Sequence, residues 1–79
     1  MSKYTDRLRD EYEKLKRSLS NLSLMEPLGL NAYEISLNQW WDRYSEQAKT
    51  DEQKQIIDDA KTLIRVTFEK QRSGGNNGQ

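Results

Sequence analysis

The chain has 79 residues, 13 basic and 13 acidic side chains, and neither cysteine nor histidine. That allows one small domain and excludes disulfides and any thiolate or imidazole metal site. Charged and apolar residues each make up 33%, an ordinary composition for a folded chain.

A chain this short buries only about 60% of the surface its unfolded form exposes. Disulfides and a structural metal being excluded, association is the expected supplement, a homodimer foremost. The charge is unevenly spread. Residues 1–22 carry six basic and four acidic side chains, residues 23–48 one basic and four acidic, and residues 49–79 six basic and five acidic. No apolar run approaches the ~20 residues of a bilayer span, and no signal-peptide pattern opens the chain. A cytoplasmic location is the expectation.

The pattern predicts an all-α protein, a small three-helix bundle, with helices over about 3–22, 32–48 and 50–72 in one domain, 1–72. In the first helix Leu8, Tyr12, Leu15, Leu19 and Leu22 form an a/d seam, which Tyr4 extends by a turn. Asp10 with Lys14 and Glu13 with Arg17 are acid-before-base pairs at i,i+4. The seam is too short for a coiled coil standing alone, so it must pack on the other helices, a second copy, or both.

Residues 23–31 read as a break. Pro27 disfavours helix at Glu26, and Gly29 relaxes the backbone. Because Leu24, Met25, Leu28 and Leu30 make this stretch greasy, it predicts a packed loop. Asn31 and Glu34 then have the spacing of a capping box, with Leu30 and Ile35 placed for a hydrophobic staple. Tyr33, Leu37, Trp40, Trp41, Tyr44 and Ala48 follow within a stripe about 80° wide.

Thr50 and Gln53 form a second capping box, which predicts a turn near Lys49 and the start of the third helix. Asp51 and Glu52 in its first turn and Lys70 and Arg72 in its last suit the helix dipole. Ile56, Ile57, Ala60, Leu63, Ile64 and Phe68 form its apolar face, with Val66 off it. Residues 32–72 could instead run as one helix, but the stripes centred on Tyr44 and Ala60 would then point about 170° apart. Ser73-Gly74-Gly75 predicts the helix end, with residues 73–79 a disordered tail.

Catalytic signatures are lacking. Ser18, Ser20, Ser23 and Ser36 have no histidine to activate them. The adjacent carboxylates Asp58 and Asp59 point about 100° apart on a helix and read as solvated face. No glycine-rich phosphate loop exists. The expectation is a non-enzyme without metal or cofactor.

Two surfaces remain. Lys54, Lys61, Arg65 and Arg72 align along one side of the third helix and form a possible nucleic-acid contact. Asp51, Asp58 and Glu69 lie close enough to blunt that stripe, and the net charge of zero gives no long-range steering. On the first helix, Glu11 and Glu13 similarly interrupt Lys14, Lys16 and Arg17. The stronger candidate is a protein interface comprising Leu28, Leu30, Ile35, Trp40, Trp41 and Tyr44. Neighbouring tryptophans cannot both point at the centre of a core, so one is free to face a groove or partner. Trp and Tyr are typical interface anchors. On this reading the protein is an adaptor, regulator or inhibitor that occupies a partner's surface. Trp41→Ala is then expected to weaken association by at least about 2 kcal/mol while leaving helicity nearly intact.

Overall fold

The structure, a computed structural model, describes the backbone of residues 2–22 and 27–76 and the side chains of residues 2–22 and 29–73. It is all-α: α1 (Lys3–Leu19), α2 (Pro27–Gln47) and α3 (Asp51–Asn76), with no strand among the described residues. The helices run up, down and up. Tyr4 of α1 meets Tyr44 near the end of α2, and Thr5 meets Gln53 near the start of α3. The bundle is slender, 48 × 17 × 17 Å.

Ser2 caps α1: its backbone is extended and its hydroxyl accepts from the Tyr4 N–H at 3.2 Å, satisfying one of the amides a helix start leaves unpaired. The helix closes three residues before the predicted Leu22. There the amides of Ser20 and Asn21 donate to the carbonyls of Arg17 and Ser18, and the Ser20 hydroxyl also donates to Arg17. These i→i−3 bonds tighten the last turn. Leu22 is nevertheless buried beyond the helix end.

The start of α2 corrects the sequence reading. The helix begins at Pro27, not after a cap at Asn31. Proline at the first helical position lacks only an N–H that would be unpaired anyway, and its fixed φ suits the helix. Gly29 accordingly sits inside the helix, and no described glycine has positive φ. Asn31 and Glu34 are not a cap: both accept from the Arg72 guanidinium of α3. The expected packed loop is therefore helical from residue 27 onward, while residues 23–26 lie outside the described residues.

The second capping box forms as its spacing predicts. The Gln53 N–H donates to the Thr50 hydroxyl at 3.1 Å, and the Gln53 side-chain carbonyl accepts from the amides of Lys49 and Thr50 at 2.8 and 3.2 Å. The turn at 48–50 separates α2 from α3 and rules out one continuous helix. At the other end, α3 continues past Ser73 to Asn76. A glycine costs a helix only about 1 kcal/mol relative to alanine, and no proline forces a stop. Residues 77–79 of the expected tail lie outside the described residues.

The core joins one stripe from each helix. Leu8, Leu15, Leu19 and Leu22 meet Leu30, Trp41 and Tyr44, and both meet Ile57, Ala60, Ile64 and Phe68. Edge-to-face pairs add to the packing, with Tyr33 on Phe68 at 5.9 Å and Trp41 on Tyr44 at 5.2 Å. Val66 is exposed, as its place off the stripe predicts.

Two tyrosines test the polar bookkeeping of this core. The Tyr4 hydroxyl donates to the Tyr44 carbonyl at 2.7 Å, whereas the buried Tyr44 hydroxyl has no partner among the described residues. Removing a satisfied hydrogen bond costs about 1 kcal/mol, but removing an unpaired buried hydroxyl costs nothing comparable. Tyr4→Phe should therefore lower the urea midpoint, and Tyr44→Phe should leave it unchanged or raise it. Equal losses in both variants would contradict this assignment. Desolvation, then the neighbouring Tyr44, push the Tyr4 pKa above 10.0, with Arg7 opposing. The neutral hydroxyl thus contributes stability below that pH and loses it as pH rises through the folded value.

Candidate functional site

Adjacent residues on a helix point about 100° apart, and α2 uses that angle to divide its tryptophans. Trp41 is 1% exposed and fills the core, while Trp40 is 48% exposed. The fold therefore shelters one indole completely and leaves the other half in solvent. One of the two neighbouring tryptophans thus faces away from the core, as their angle predicts, and it is Trp40.

Trp40 stands at the edge of a groove of about 240 Å³ between α1 and α2. Leu15, Leu37 and Trp41 give it an apolar floor, and Ser18 of α1 and Ser36 of α2 line it as well. These short side chains explain the opening, because neither serine is long enough to fill the gap between the helices. Above Trp40 the aromatic surface continues: its ring meets Tyr44 edge-on at 6.0 Å, and the Arg7 guanidinium lies 5.9 Å from the Tyr44 ring centre. Glu11 and Lys14 line the groove on the α1 side and pair with each other at 3.4 Å. That hydrogen bond to Glu11, followed by the charges of Glu11 and Asp10, raises the pKa of the exposed Lys14.

The six residues predicted as an interface do not form one surface. Leu30, Trp41 and Tyr44 are core residues, held there by the packing of α2 on both other helices. The Leu28 side chain lies outside the described residues. Ile35 is 57% exposed but lies about 140° from Trp40 around α2. Of its neighbours one helical turn away, Asn31, Asn38 and Gln39 are polar and Ala32 adds only a methyl group. An isolated exposed aliphatic of that kind is ordinary. Only Trp40 remains, joined by Leu37 of the α2 stripe and by Leu15 of the α1 seam.

The basic stripe is largely occupied. Lys61 pairs with Asp42 of α2, Arg72 with Glu34 of α2, and Arg65 with Glu69 one turn on at 3.7 Å. Lys54 is exposed and makes no ion pair among the described residues. The stripe thus lies on the flank of α3 that faces α2, where its cations link the two helices. The signal that would have shown this is the pair Glu34 and Asp42. On the antiparallel α2 and α3 the earlier acid, Glu34, meets the later base, Arg72, and the later acid, Asp42, meets the earlier base, Lys61. Asp58 and Asp59 are both exposed, and no group of three potential metal ligands exists among the described residues.

A second feature escaped the sequence reading. Gln53 is 4% exposed, and its amide donates to the equally buried Thr5 hydroxyl at 3.2 Å. Thr5 lies on the α1 seam one turn before Leu8, and that position is the clue to its burial.

No helix among the described residues is long and apolar enough to cross a membrane. Comparison of the chain with protein-family models, with curated proteins and with solved structures gives no match.

Proposed function

We propose that this protein is a non-catalytic interaction module whose working surface is the α1–α2 groove beside Trp40. The observation that carries this reading is the half-exposed indole standing over an apolar floor, with its neighbour Trp41 already committed to the core. A large aromatic beside an apolar cleft is the typical chemistry of an interface anchor. The nucleic-acid alternative has less support, because Lys61, Arg65 and Arg72 are already paired with carboxylates.

The test is affinity capture from the source cells, combined with sedimentation to detect binding to a second copy. Trp40→Ala should weaken whatever association is found by about 2 kcal/mol, as for an interface anchor, with unchanged circular dichroism. Ile35→Ala should bind like the wild type. Undiminished binding by Trp40→Ala, both to captured proteins and to itself, would rule out the groove.

A further inference from the structure

We infer that the occupant of this groove is an amphipathic helix of another protein whose apolar stripe is flanked by carboxylates. The inference rests on the groove being the working surface and adds the identity of what it binds. A cleft between two helices of a bundle accepts a further helix, which buries residues at i, i+3 and i+4 against the floor and completes a four-helix arrangement. Leu15, Leu37 and Trp41 supply that floor.

Charge selects among such helices. Arg7 stands over the Tyr44 ring beside Trp40. Lys3 lies one turn before Arg7 on α1, and Arg43 one turn after Trp40 on α2. All three are exposed and make no ion pair among the described residues. On α1, Asp10 and Glu11 are engaged by Lys14 and Glu13 by Lys16, while Asp6 is exposed about 100° round the helix from Arg7. On α2, Glu34 and Asp42 are drawn to the opposite flank by Arg72 and Lys61, and Glu46 lies about 120° round the helix from Trp40. The groove's own charged lining, Glu11 and Lys14, is mutually paired, so the unengaged charges near its Trp40 end are the cations Arg7 and Arg43, with Lys3 a turn further along α1. A second copy docked two-fold on the same groove would set these cations against each other, which disfavours self-pairing at this face.

The test uses two designed helical peptides with the same leucine stripe, one flanked by glutamates and the other by lysines. Binding is read by the anisotropy of a dye on the peptide. The glutamate peptide should bind at least about tenfold more tightly, a preference that like-charge repulsion easily supplies. The preference should shrink between about 0.01 M and 1 M salt, as the screening length falls from about 30 to 3 Å. Trp40→Ala should weaken binding of the glutamate peptide, and Arg7→Glu with Arg43→Glu should transfer the preference to the lysine peptide. Both arginines are exposed, so folding should survive, as circular dichroism will verify. Equal binding of the two peptides, binding of neither, or a preference unmoved by charge reversal would overturn the inference. So would Trp40-dependent binding of oligothymidine in place of the peptides. If any of these is accompanied by Trp40-dependent capture or self-association, the groove stands as the working surface and only the acidic occupant is lost.

Discussion

Trp41→Ala should lose a large share of the protein's stability, while Trp40→Ala should lose little. Trp41 is almost completely buried, packs edge-on against Tyr44, and belongs to the cluster that joins all three helices. Truncating a buried tryptophan costs about 3–5 kcal/mol through lost transfer energy and the cavity left behind. At roughly 0.05–0.15 kcal/mol per residue, a domain of this size has only about 4–12 kcal/mol in total. With each kcal/mol worth about 4–8 °C for a small domain, the melting temperature should fall by at least about 12 °C. Trp40 is half solvated and should cost no more than about 1 kcal/mol. Thermal melts followed by circular dichroism will separate the two. Similar melting points for both variants would refute the division of labour between the indoles. This outcome reverses the sequence expectation that Trp41→Ala would spare helicity.

Gln53→Leu is the second large effect. The side chain performs three tasks: its carbonyl accepts from two amides at the hairpin turn, and its amide donates to Thr5 across the bundle. Losing the cap costs about 0.5–2 kcal/mol, and leaving the buried Thr5 hydroxyl unpaired costs about 1–3 kcal/mol more. A total of roughly 1.5–5 kcal/mol should appear in urea denaturation. Thr5→Val alone strands the Gln53 amide and should also destabilise. Combined with Gln53→Leu it removes both buried polar groups, so the double variant should be more stable than the two single losses added together. A coupling of about 0.5–3 kcal/mol is expected for directly bonded residues. Strict additivity would show that the contact contributes nothing.

What the sequence disclosed and what it withheld divide along the range of the interactions. The turn before α3 was legible because Thr50 and Gln53 satisfy each other within one helical turn. The start of α2 was misread because Asn31 and Glu34 have the same local spacing but are claimed by Arg72, 41 and 38 residues away. Pro27, read as a breaker, is equally a good first helical residue. The stripes of α1 and α3 named their core residues correctly, since periodicity alone determines which face is apolar. Periodicity could not decide between Trp40 and Trp41, which sit on opposite shoulders of one stripe. That choice depends on how closely α1 approaches α2, and no local pattern encodes it. The ion pairs of Lys61 and Arg72 were illegible for the same reason: their partners lie on another helix.

Placing one indole in the dry interior and its neighbour half in water has a practical consequence. The protein carries its own two-channel optical gauge. Covering the groove should move only the Trp40 emission toward the blue, leaving Trp41 as an unaltered reference. Melting the bundle should instead send the Trp41 emission to the red, so occupancy and denaturation leave opposite spectral marks without any added label.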